Sequence, residues 1–178
     1  MKKIIVEDKK AYLIETISII NDPGALLVSK SPNTNPNVMA IGWGTIGFIW
    51  KKPVFIVLVR PSRYTYELII KSGEFTVNIP YPSMKNTVDF SGSHSGRKID
   101  KFKKLGLTQI PSRFINVPII QECAINYECR VIHYNEVNPQ ILPADITNEY
   151  YPENDYHRIF FGEILAVHAD EPFKEKLL

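Results

Sequence analysis

The sequence predicts a mainly β protein, a barrel with a few helices packed outside it. Three observations predict it. Thirteen prolines and nine glycines in 178 residues cut the chain into many short elements. Segments with strand character outnumber helical ones and do not alternate regularly with them, which argues against a doubly wound sheet. The run 54–59, Val-Phe-Ile-Val-Leu-Val, is continuously apolar, the pattern of a strand buried on both faces or set deep in a barrel wall.

In chain order, 25–30 reads as a strand, opened by the turn Asn21-Asp22-Pro23-Gly24, and 31–36 as a Pro- and Asn-rich loop. Segments 38–43 and 45–50 read as two strands or one bent strand, closed by Lys51-Lys52-Pro53. Pro61-Ser62 ends the apolar run 54–59. From 63 to 71 the period changes: Tyr64, Thr65, Leu68 and Ile69 share one helical face, and Gly73 stops the helix. A strand over 75–79, a helix over 83–90, a small-residue loop over 91–96 and a short basic helix over 99–105 follow. Segments 123–134 and 159–168 read as long strands. Between them 135–155, polar and broken by prolines, reads as a loop or lid. No internal repeat is visible, and one domain over 1–178 is expected.

Composition narrows the function. Hydrophobic residues make up 44% and charged residues 22%, ordinary for a soluble globule. A net charge of +2 gives no argument for a nucleic-acid or membrane partner. The apolar stretch 4–6 is too short for an export signal and no run is long enough to cross a bilayer, so a cytoplasmic protein is expected. Cys123 and Cys129 lie on an alternating apolar/polar segment that reads as a half-buried strand. They stand too far apart along it to bond and are expected to be buried structural thiols. The histidines at 94, 133, 157 and 168 are scattered, with no metal-ligand spacing and no acid–histidine–nucleophile set, so no metal site is expected.

Three motifs remain. Gly42-Trp43-Gly44-Thr45-Ile46-Gly47 matches G-x-G-x-x-G. A dinucleotide fingerprint needs a helix starting within it, and Pro53 and the turn before it forbid a long one. The glycines are expected instead to permit tight bends or close approach to the backbone. Arg60-Pro61-Ser62-Arg63-Tyr64-Thr65 brings two guanidiniums, two aliphatic hydroxyls and free helix N–H groups to one corner. That suits a phosphate; it also suits surface arginines with Ser62 as an N-cap. Ser91-Gly92-Ser93-His94-Ser95-Gly96-Arg97 can turn backbone amides toward an anion, or be a flexible loop before a solvated run of Lys101, Lys103 and Lys104.

Together these segments resemble the flavin-reductase-like, FMN-binding split-barrel family, particularly its flavoredoxin branch. The matching text is 25–29, 37–43 with Thr45, 60–65, 75–78, Ser95-Gly96-Arg97 with Asp100-Lys101-Phe102, Glu122-Cys123 with Glu128-Cys129, and 156–163, in the family's order. The resemblance implies a Greek-key split β-barrel with a few peripheral helices, working as a homodimer with FMN near the subunit interface. It implies that Asn37, Val38, Met39, Ala40 and Trp43 border the flavin ring, partly through backbone, with Thr45 nearby. Arg60, Ser62, Arg63 and Thr65 would hold phosphate and ribityl oxygens, with Tyr64 among them. Ser91, Gly92, Ser95, Gly96 and Lys101 would close the other side. His157 matches a histidine near the nicotinamide or substrate side and is the one catalytic candidate.

The implied function is an NAD(P)H-dependent FMN reductase, with NADH or NADPH as co-substrate, or a flavoredoxin-like electron carrier with a redox partner protein. Family members commonly continue past the strand ending near His168, so a more open substrate side is expected, with 135–155 able to cover or crowd the ring. The alternatives are a non-catalytic FMN- or haem-binding split-barrel module and a pyridoxamine-phosphate-oxidase-like enzyme. The latter would need a second arginine-rich phosphate cluster, and none is visible.

Overall fold

The computed structural model describes residues 2–171. Strand β1 (Lys3–Val6) and helix α1 (Leu13–Asn21) come first, and the sequence predicted neither. Then follow β2 (Ala25–Ser29), β3 (Asn37–Ile41), β4 (Gly44–Ile49) and β5 (Lys52–Val59). Lys52 is already strand. The β4–β5 hairpin turns on Trp50 and Lys51, both at positive φ (53° and 59°), so the turn lies one residue earlier than expected. Helix α2 (Tyr64–Ser72) ends on Gly73 at φ 67°, where the sequence placed its stop. Next come β6 (Glu74–Ile79), α3 (Lys85–Ser93) and α4 (Lys101–Leu105). Asp100 caps α4 by accepting from the Lys103 amide at 3.1 Å. A two-residue pair β7 (Gln109–Ile110) and β8 (Ile119–Ile120), the long β9 (Ile125–Glu136), α5 (Ala144–Tyr150) and β10 (Arg158–Asp170) complete the order.

The main sheet is antiparallel, in the order β3-β2-β6-β9-β10-β5-β4, with β1 also on β10. Its edge strands β3 and β4 are joined by only Gly42 and Trp43. Laid flat, six strand spacings of about 4.8 Å would part those edges by about 29 Å. Three Cα–Cα steps reach at most about 11 Å. The sheet must therefore curl almost onto itself, leaving a seam between β3 and β4. The long β10 makes the curl work. It pairs with β5 over 158–163 and with β1 over 167–170, and its pairing with β9 shifts register at Phe161/Gly162 and Ile164/Ala166.

Two apolar cores follow from strand alternation. Inside the barrel lie Leu27, Phe55, Val57, Phe75, Val77, Tyr127, Phe160 and Ile164, closed by Ile19 and Ile20 of α1. Outside, Leu26, Val28 and Val38 pack against Val88 of α3, Phe102 of α4, and Ile115, Val117 and Ile120. Both faces of β2 are buried in consequence.

The same covering corrects the half-buried reading of 122–130 at its polar positions 126 and 128. Asn126 and Glu128, on the polar side of the alternation, are fully buried under residues 107–120. Asn126 Nδ2 donates to Asn78 Oδ1 (2.8 Å) and the Ile120 carbonyl (2.9 Å). Glu128 accepts from the amides of Arg113 (2.7 Å) and Phe114 (2.8 Å) and lies 2.6 Å from His168 Nε2. Cys123 precedes the strand and sits in the outer core, and Cys129 sits in the inner one. Both thiols are free, and burial pushes both well up, so they stay protonated.

Gly44 settles the glycine motif. A Cβ there would stand 2.9 Å from the Ile56 carbonyl, so the residue lets β4 lie close on β5, and no helix follows it. Segment 135–155, expected to be loop or lid, holds the end of β9, a 3-10 turn at Pro139–Ile141 and α5. The fate of the chain beyond 171 lies outside the described residues.

Candidate functional site

A cleft of about 370 Å3 opens beside the Gly42-Trp43 link, between β3 and the end of β5. Its size is that of a small-molecule site. Asn37, Met39, Ala40, Gly42 and Trp43 form one wall. Arg60, Ser62, Arg63, Tyr64 and Thr65, from the end of β5 through the first turn of α2, form the second. Ser91, Gly92, Ser95, Gly96, Arg97 and Lys101 form the third, and His157 also lines the cleft. The structure thus brings together all the expected site residues except Val38 and Thr45. Val38 follows Asn37 on a strand, so its side chain points to the opposite face, into the outer core. Thr45 is exposed on β4, beyond the seam. The cleft adds Ile41, Gly42, Leu58, Ser93, His94 and Arg97, none of which the sequence reading placed in the site.

Local geometry explains the convergence. Asn37 Nδ2 donates to Thr65 Oγ1 at 2.8 Å, tying β3 to the start of α2. A Cβ on Gly96 would overlap Asn37 Oδ1 (1.9 Å), so only glycine lets this loop close on the other two walls. Segment 91–93 is the last turn of α3 rather than loop, which sets Ser91 rigidly in the wall. Ser62 is not the N-cap of α2. Arg63 holds that position, and the Ser62 hydroxyl donates to Asp155 Oδ2 at 2.5 Å.

The electrostatics are one-sided. Arg60, Arg63, Arg97 and Lys101 line the cleft and, among the described residues, no carboxylate does. Arg97 is paired with Glu67 and donates to the Ser62 carbonyl (3.0 Å). Arg60 donates to the carbonyls of Tyr150 (2.7 Å) and Asp155 (3.2 Å). Arg63 has no carboxylate partner among the described residues. Lys101 is buried, unlike its neighbours Lys103 and Lys104, and donates to the carbonyls of Ser91 and His94 at 3.0 Å each. Burial, and then the charge of Arg63, pull it down to about 8.

His157 is buried beside Trp43, its Nδ1 2.9 Å from Tyr151 Oη. Burial, then Arg60, hold it down to about 4, with Arg63 acting the same way and Asp155 against, so it is neutral at pH 7. His94 stacks on Phe90 with ring centroids 3.9 Å apart. The Ser91 hydroxyl is buried in the cleft wall with no hydrogen-bond partner among the described residues. An orphaned hydroxyl, an unpaired guanidinium and a lysine with a lowered pKa are the donor set that an anionic, phosphate-bearing group satisfies.

Fold and cleft define a class: an antiparallel barrel with a cationic small-molecule cleft beside the link between its edge strands. The chain belongs to the flavin reductase like domain family, which matches residues 18–178. Among solved structures it is similar to the flavoredoxin of Desulfovibrio vulgaris, at 30% identity and a TM-score of 0.67, covering 84% of this chain and 70% of that one. A Shewanella frigidimarina structure named for its split barrel domain matches at 17% identity and a TM-score of 0.67, over 88% of this chain and 73% of that one, and shows the fold alone. An uncharacterised Archaeoglobus fulgidus protein is 36% identical over 140 residues, 79% of this chain and 69% of that one. The fold is the mainly β split barrel that the sequence resemblance implied. Among the described residues, no helix is long and apolar enough to cross a membrane.

Proposed function

We propose that the cleft binds FMN and that the protein is a flavin-dependent oxidoreductase, either an NAD(P)H-dependent flavin reductase or a flavoredoxin-like electron carrier. The observation that carries this reading is the cleft itself, a small-molecule-sized space lined by Arg63, Lys101 and the orphaned Ser91 hydroxyl together with Met39, Ala40 and Trp43. Arg63, Lys101 and the hydroxyls of Ser62 and Ser91 would hold the phosphate, with the first amides of α2 beside them. Trp43, Met39 and the β3 backbone would border the ring. Bound flavin would supply two-electron hydride chemistry. His157, neutral at pH 7, serves as a hydrogen-bonding wall, not as a protonated acid. A homodimer fits the exposed Phe48 (59%), Trp50 (64%) and Tyr134 (48%), which a second copy would cover.

The test is the absorption spectrum of the purified protein with added FMN, followed by NADH and NADPH oxidation. Flavin uptake with nicotinamide consumption supports a reductase. Uptake without it, with reduction by a protein donor, supports a carrier. No uptake refutes both.

Lys101 sets a pH dependence. Its charge is present below about 8 and is lost as pH rises through that value. A bound phosphate favours the charged form, so binding raises this pKa. FMN affinity is therefore expected to fall above pH 8, by up to about tenfold per pH unit. Titration from pH 7 to 9.5 checks this, with riboflavin flat across the range and Lys101→Met abolishing the slope.

A further inference from the structure

We infer that segment 137–157 is a strap whose Asp155 carboxylate competes with the anionic end of the ligand, so that a phosphate arriving at the corner displaces Asp155 from Ser62. The inference rests on reading that corner as a phosphate site.

The strap leaves the sheet where Glu136 faces Arg158 and is closed at its base by the Val137 amide on the His157 carbonyl (3.1 Å). Its two short helical pieces, Pro139–Ile141 and α5, bury no side chain. Ile141 and Ile146 remain exposed on it. Within the strap only Tyr151 and His157 are buried, so its apolar hold on the barrel is confined to its C-terminal end.

What holds it is a small set of contacts. Arg60 donates to the carbonyls of Tyr150 and Asp155 and lies 5.2 Å from the Tyr151 ring centroid. Trp43 meets the Tyr150 ring edge-on at 4.9 Å. Ser62 donates to Asp155. The barrel residues in these contacts, Trp43, Arg60 and Ser62, all line the cleft. Two events that use the same side chains are coupled, and the coupling is reciprocal.

Its sign follows from proton and charge counting. A serine hydroxyl has one proton to donate. It goes to Asp155 or to a phosphate oxygen, not to both. A phosphate taking it would also stand beside a carboxylate of like charge. Arg60 has five N–H donors and gives two to neutral strap carbonyls, so it can serve an anion without letting go. The Asp155 end of the strap is thus displaced, while the Tyr150 end keeps its hydrogen bond.

The experiment compares the parent chain with Asp155→Asn and Asp155→Ala. It uses amide hydrogen exchange across 144–157, with inorganic phosphate as the probe, and titrations with FMN and riboflavin. Phosphate should quicken exchange at 151–157 in the parent. Both variants should exchange fast there without phosphate. FMN should bind the variants about three- to tenfold tighter than the parent, the modest gain of losing one half-exposed competitor, with riboflavin unchanged.

Slower exchange at 151–157 with phosphate in the parent, or unchanged or weaker FMN binding in both variants, overturns the strap. If FMN fails to bind the parent at all, the flavin reading falls. The exchange response to phosphate then decides the strap alone: quickening upholds it, and no change or slowing overturns it.

Discussion

Arg63→Ala should lower FMN affinity by roughly 5- to 30-fold while moving riboflavin affinity by less than about twofold. The estimate is that of a charge-assisted contact, about 1–2 kcal/mol after discounting for the exposure of this side chain. Arg63 is the cleanest of the cleft's cations to remove. Arg60 holds the segment carrying Tyr150 and Asp155, and Arg97 is paired with Glu67, so changing either disturbs structure as well as binding. Among the described residues Arg63 has no carboxylate partner, and its charge acts on Lys101 and His157, both in the cleft. Paired titrations of FMN and riboflavin, followed by flavin fluorescence, separate loss of the phosphate contact from loss of the ring site. Equal losses for both flavins would mean that Arg63 supports the ring wall, not the phosphate.

The second large effect concerns stability, far from the cleft. Glu128→Ala should destabilise the protein by about 3–5 kcal/mol, the cost of breaking a buried, fully partnered carboxylate network. The carboxylate takes the Arg113 and Phe114 amides and His168, so its loss leaves buried donors unpaired and unpins 107–120 from the sheet. Burial raises its pKa, but the His168 and amide hydrogen bonds outweigh that and leave it below the ordinary value. A depressed carboxylate contributes stability that is present above its unfolded pKa, about 4.3, and is lost as pH falls through the folded one. Urea unfolding of the parent at pH 7 and at acid pH should show that loss, and Glu128→Gln should show less of it. Equal acid sensitivity in the two would place the loss elsewhere.

Much of this was legible because it is local. The apolar run 54–59, the period change at 63 and the stop at Gly73 each report on neighbours in the chain, and each element formed where its pattern lay. Helix α1 was not legible. Its Ile-rich segment Leu-Ile-Glu-Thr-Ile-Ser-Ile-Ile fits neither a clean helical stripe nor a clean alternation, and only packing of Ile19 and Ile20 into the barrel end fixes it. Burial of Asn126 and Glu128 was illegible because their partners, Asn78, Arg113, Phe114 and His168, come from distant segments. In the site, motif likeness found the segments but not their faces. Val38 came with the resemblance over 37–40, and period-2 alternation is what turns its side chain into the outer core. Arg97 and His94 lay inside the serine-rich motif, and the end of α3 and the close approach at Gly96 set that segment against the cleft.

Equilibrium titration of the unmodified protein with FMN and with riboflavin, at low and high salt, bears on the whole account. The cationic corner predicts that FMN binds at least about tenfold more tightly at low salt, and that added salt narrows the gap. Equal affinities for the two flavins at every salt concentration, or no binding of either, would contradict a phosphate seat at the start of α2.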